Sequence, residues 1–119
     1  MAEQLLKSSQ SWDGKSVAYP SGQAEITVLR LNIAAGKSTP FHCHPIPTFG
    51  HMVKGKLSVE TIDGKTKTVH AGDAVIEVMR TVHRGTALQD SEIMVYYAGA
   101  KGVPHTVAAD SEDAKKWCF

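Results

Sequence analysis

The chain carries almost no net charge: 13 Lys and Arg stand against 12 Asp and Glu, a formal +1 over 119 residues. That gives no reason to invoke nucleic acid or an anionic membrane surface, and it points to a small molecule as the partner. No apolar run approaches the ~20 residues that a membrane-spanning helix requires. Met1-Ala2-Glu3-Gln4 lacks the basic stretch and apolar block of a secretory leader, so a cytoplasmic location is expected. Cysteine is scarce as well. Cys43 and Cys118 are too few for a disulfide framework, which predicts free thiols in a reducing compartment. Cys43 is then a small buried apolar side chain, and Cys118 an incidental thiol on a loose tail. Helical periodicity is missing everywhere except Asp110 to Trp117, where Asp110 or Ser111 is a candidate N-cap. There is no internal repeat and no low-complexity segment.

What the chain has is alternation. From Ala24 to Ile33 one face carries Leu29, Leu31 and Ile33, and the other Ile26, Val28, Arg30 and Asn32; this is the period of a strand. Further strands are predicted over Phe49 to Val53, Leu57 to Ile62, Lys65 to His70, Ala74 to Met79, Thr81 to Ala87 and Glu92 to Ala98. The turns between them carry Gly55, Asp63-Gly64 and Gly72, and Asp63-Gly64 reads as a two-residue type I′ hairpin. Many short strands at this spacing predict an all-β sandwich or barrel. The length suits one domain over 1–119, with a barrel core at about 24–99 and a C-terminal tail over 104–119. A small barrel without a helix layer leaves apolar side chains on its outer strand faces, Leu29 and Leu31 or their alternates. A homodimer is expected to cover them, which light scattering at micromolar concentration checks.

The chemistry gathers between Gly36 and Gly55. His42 and His44 are two residues apart, and Pro40, Pro45 and Pro47 keep this stretch out of a helix. On an extended chain both imidazoles project from one face and can reach one metal ion, while Cys43 points away. A second block begins at Gly72, with His83 eleven residues on. The spacings Gly36, His42, His44, Gly55 and Gly72, His83 resemble the two motifs of the cupin superfamily over roughly 24–99. In that family a glutamate follows the second histidine by three or four residues; here Thr48 and Phe49 hold those places. In the second motif Val78 stands for a proline, Arg80 for a glycine and Ala87 for an asparagine.

The resemblance implies a double-stranded β-helix of jelly-roll type holding one divalent transition metal ion on His42, His44 and His83. Ferrous iron is favoured for such an open imidazole face, with zinc, nickel, manganese and copper as alternatives. His51 is the alternative fourth ligand, although alternation turns it to the other face. Glu77 is a candidate acceptor for an imidazole N–H, behind the ligands rather than among them. His70 and His105 read as surface residues, and Arg84 as solvent-facing or, alternatively, meeting an anionic substrate. The three-histidine set is similar to that of cupin dioxygenases that cleave β-diketones. It implies a metal-dependent dioxygenase or oxidoreductase acting on a small enolisable or phenolic compound. The alternatives are a non-catalytic metal-containing module that binds or senses a small ligand, and an isomerase or lyase, which needs a general acid or base in the pocket.

Overall fold

The computed structural model describes residues 1–119, and its strands follow the alternation of the sequence. They are β1 (Ala24–Ile33), β2 (His42–Cys43), β3 (Thr48–Lys54), β4 (Lys56–Thr61), β5 (Thr66–His70), β6 (Ala74–Ile76), β7 (His83–Ala87), β8 (Ser91–Ala100) and β9 (Val107–Ala108), followed by one helical turn, α1 (Ala114–Trp117). One antiparallel sheet has the order β1-β8-β3-β6, the other β5-β4-β7-β2-β9. Ile46, Met52, Leu57, Val59, Val69, Val75, Ile93 and Val95 fill the space between them. The alternation predicts an all-β sandwich or barrel, and this is the jelly-roll form that the resemblance of the histidine motifs implies.

On β1 the inward residues are Leu29, Leu31 and Ile33, which pack against that core. Their alternates Ile26 and Val28 are exposed. Val28 pairs with Tyr96, and Tyr96 pairs in turn with Phe49, whose ring stacks on it at 5.3 Å. The apolar outer face of the four-stranded sheet is therefore built from Ile26, Val28, Phe49 and Tyr96, not from Leu29 and Leu31.

Several local expectations are corrected. The turn at Asp63-Gly64 is not type I′, because Asp63 does not take a positive φ and Gly64 does (φ 93). Gly64 N–H donates to the Thr61 carbonyl and Thr61 N–H to Lys65, so a three-residue loop with a terminal left-handed glycine closes the hairpin. Asp63 accepts a hydrogen bond from the Thr61 hydroxyl instead of adopting the left-handed region itself. Arg80, at the place of the second-motif glycine, is the one non-glycine residue with positive φ (65). It keeps that conformation because its N–H donates to the His44 carbonyl at 2.7 Å and its guanidinium to the Trp117 carbonyl at 3.1 Å. The helix is shorter than the sequence suggests, with Asp113 rather than Asp110 or Ser111 at its N-cap.

The tail is not loose, and the cysteines are not free. Cys43 and Cys118 form a disulfide with 5.7 Å between their Cα atoms. Both are buried in a second apolar cluster with Val82, Val107 and Ala114. β9 adds to β2 through Cys43↔Val107, and α1 closes over the pair. Alternation did turn Cys43 away from the histidines, as expected; what the sequence concealed was the partner brought to it. With both thiols joined, the cysteine count no longer points to a reducing compartment. No helix is long and apolar enough to cross a membrane.

Candidate metal centre

Three strand ends converge inside the barrel. His42 lies on β2 directly opposite His83 at the start of β7, and His44 follows β2 by one residue, so its ring returns to the same side. The ring centroids are 4.5 to 4.9 Å apart, and the ligand atoms of all three lie within 4.8 Å of one another. Each ring is oriented through the same device. His42 Nδ1 donates to the Pro40 carbonyl (2.6 Å), His44 Nδ1 to the His105 carbonyl (2.8 Å) and His83 Nδ1 to the Thr81 carbonyl (2.8 Å). A carbonyl only accepts, so the proton of each neutral ring sits on Nδ1 and the lone pair on Nε2. Backbone acceptors of this kind set the tautomer of a metal-ligating histidine.

His83 Nε2 is the telling atom. It is buried and has no hydrogen-bond partner, a situation that costs about 1–3 kcal/mol if nothing fills it. A cation held by the three Nε2 atoms removes that cost, and imidazole is a good donor to the divalent transition metals. The residues present therefore fit the ion that the motif spacing implies.

Burial pushes His42 below its ordinary value of 6.5, with the neighbouring His83 ring adding to the effect; the Pro40 carbonyl and Glu77 oppose it. Burial pushes His44 well below, helped by His83 and His42. Both rings are thus held neutral and ready to coordinate at pH values where a free imidazole is partly charged. In the metal-free protein the unfolded chain then binds more protons than the folded one below about pH 6.5, so stability falls as pH falls through that value. Melting of the metal-free protein followed from about pH 7.5 downward should show this decline, and His44→Gln should flatten it. A melt that is flat to about pH 5 would show that these rings are not desolvated.

The triad lines an inner cavity of about 70 Å³, with room for an ion and several water molecules. A wider vestibule of about 330 Å³ opens over it, lined by Leu29, Leu31, Phe41, Tyr97, His105 and Thr106 among others. That volume suits a small organic molecule. Thr48 is buried beside the triad, and its hydroxyl donates to the Ile46 carbonyl at 3.2 Å. Glu77 also lines the inner cavity. It accepts none of the imidazole Nδ1 protons, since backbone carbonyls take all three.

Other sequence candidates lie elsewhere. His51 sits on the outer side of β3, where inward Thr48, Gly50 and Met52 alternate with outward Phe49 and His51. His70 is exposed and faces Asp73 at 3.6 Å. Arg84 pairs with Glu60 at 2.5 Å and lies over the Phe41 ring, lining neither cavity. His105 is not a plain surface residue: its ring packs at a tilt against Tyr97, 4.2 Å between centroids, in the vestibule wall, and its Nδ1 bonds the Thr106 hydroxyl. Tyr97 itself was legible only as a strand residue. Burial raises its pKa, partly opposed by the Thr106 hydroxyl, so it stays a protonated donor at neutral pH. No motif marks these residues; they meet because β8 and the segment before β9 flank the same opening.

Residues 29–99 match the family model of the cupin domain. No curated protein sequence matches the chain. Among solved structures, a cupin 2 conserved barrel domain protein from Salinispora arenicola is 20% identical over 70% of this chain and 71% of that one, with a TM-score of 0.57. The DMSP lyase of Ruegeria pomeroyi is 20% identical over 83% of this chain and 48% of that one (TM-score 0.59). An oxalate oxidase is 22% identical over 70% of this chain and 45% of that one (TM-score 0.57). The chain thus spans less than half the length of either enzyme, and at these identities the likeness speaks for the barrel alone.

Proposed function

The chain belongs to the cupin domain family, and on that premise we propose that it is a metal-dependent oxidoreductase acting with dioxygen on a small enolisable or phenolic compound. Ferrous iron on His42, His44 and His83 is the favoured form. The observation that carries the reading is the set of three Nε2 lone pairs aimed into one cavity, one of them buried without a partner, under an open vestibule. When bound, the ion supplies Lewis acidity and a meeting point for substrate oxygens and dioxygen. The chain supplies the rest. His42 and His44 are kept neutral by burial, Leu29, Leu31 and Phe41 offer an apolar wall to the substrate body, and Tyr97 presents a protonated hydroxyl to a substrate oxygen.

A second reading, an isomerase or lyase, is favoured by one observation, His105 packed against Tyr97 at the vestibule wall. That imidazole is placed to take or give a proton without any oxidant. Iron-loaded protein, purified without an affinity tag and offered a panel of β-diketones and catechols, is expected to consume oxygen. Product formation that persists without oxygen would replace the first reading by the second. Retention of the ligand with no product under either condition would leave a binding or sensing module.

A further inference from the structure

We infer that Glu77 supplies a carboxylate ligand to the proposed metal, taking over from the neighbouring strand the role that the family's motif gives to the position of Thr48. The inference rests on the metal reading above and deepens it. In the β3–β6 ladder Phe49 pairs with Ile76, and Glu77 N–H donates to the Thr48 carbonyl at 2.8 Å. Glu77 is therefore the cross-strand neighbour of Thr48, and both line the cavity of the triad. The hydroxyl of Thr48 is turned to the Ile46 carbonyl, which leaves the carboxylate as the anionic group facing the histidines.

The two oxygens of Glu77 have different surroundings. Oε1 accepts from the Trp12 indole N–H at 2.8 Å and from the Val78 N–H at 3.2 Å. Oε2 takes no such bond and lies 3.7 Å from His83 Nε2, the buried atom without a partner. His83 has its Nδ1 proton on the Thr81 carbonyl, so in the neutral ring two electron-pair donors face each other. Their separation exceeds a hydrogen bond. It is below the sum of ordinary metal–nitrogen and metal–oxygen distances, about 4.2 Å, so one ion can touch both. Charge points the same way: three neutral imidazoles, two of them buried, leave a divalent ion uncompensated, and a carboxylate halves the excess. Trp12 is then a positioning residue. Its backbone N–H donates to Ile76 at 3.0 Å while its indole fixes Oε1, so the N-terminal segment aims the ligand.

Cobalt(II) titration of the full chain, read by its visible absorption and by competition with a chelating dye, tests this. Glu77→Gln keeps the shape and the acceptor for Trp12 but loses the anionic oxygen. It should weaken cobalt binding by more than about 100-fold, beyond the loss typical of groups behind the ligands, and should change the spectrum. Trp12→Phe should weaken binding by about 10-fold with the spectrum retained. In the unaltered protein labelled with carbon-13 at glutamate carboxyls, one resonance should shift on addition of zinc, which needs no variant to fold. Cobalt uptake that is lost in His83→Ala but unchanged in affinity and spectrum in Glu77→Gln overturns this inference alone. An unshifted carboxyl set on zinc binding does the same. No cobalt uptake by the unaltered protein overturns the metal reading and this one with it.

Discussion

His83→Ala is expected to abolish stoichiometric metal binding, with a loss of affinity above the 10–100-fold that removal of an outer partner costs a metal site. His83 is the deepest of the three rings, and its Nε2 is the buried atom without a hydrogen bond. His42→Ala and His44→Ala should follow it, since each removes one of three donors that share a single focus. The comparison that gives the result its meaning lies on the outer surface. His51→Ala removes an imidazole from the opposite side of β3, and His70→Ala removes one that faces only Asp73; both should keep the full complement of metal. Thr48→Ala should also keep it, because the hydroxyl serves the Ile46 carbonyl. Metal per chain by elemental analysis after dialysis decides the matter. A His51→Ala protein as empty as His83→Ala would show that the ion sits elsewhere.

Why the triad was legible, and much of its surroundings was not, follows from the range of each interaction. Strand alternation is local, so β1 was readable to its ends, Ala24 and Ile33. The inward face of Leu29, Leu31 and Ile33 was readable with it. His42 and His44 share a face by the same local rule, and His83 joined them through a spacing that resembles a family pattern. Glu77 was visible as a residue near the ligands, but its pairing with Thr48 was not, because strand register rather than sequence makes the two neighbours. Tyr97 and His105 are further from any pattern, since they meet only when the segment before β9 folds back over β8. At Asp63-Gly64 the dipeptide gave the turn correctly, but its type was decided by the Thr61 hydroxyl, which holds Asp63 outside the left-handed region. Arg80 shows the converse. Glycine is the residue that takes a left-handed backbone most readily, and here Arg80 takes it in the glycine's place, held by the His44 carbonyl.

Reduction of the Cys43–Cys118 disulfide should produce the largest loss of stability available without touching the barrel core. The bond closes a loop with a sequence separation of 75, and the chain-entropy relation for a loop of that length gives about 4 kcal/mol. For a chain of this size that corresponds to a fall of roughly 15 °C in melting temperature. The consequence extends to the candidate centre, because Cys43 is flanked by His42 and His44 and β2 is only two residues long. Its neighbours on one side are β9 and α1, which the disulfide fastens through Cys118. Releasing that side leaves His42 dependent on its pairing with His83 and His44 on the carbonyl of His105, a residue of the released segment. Cys43→Ser with Cys118→Ser, or the unaltered protein in excess dithiol, should therefore melt earlier and hold metal more weakly. Added zinc should recover part of the melting temperature, since an ion that binds only the folded chain stabilises it. A melting temperature and a metal affinity both unmoved by reduction would mean that Val107, Ala114 and Trp117 hold the tail by packing alone. The covalent link would then be incidental to the site.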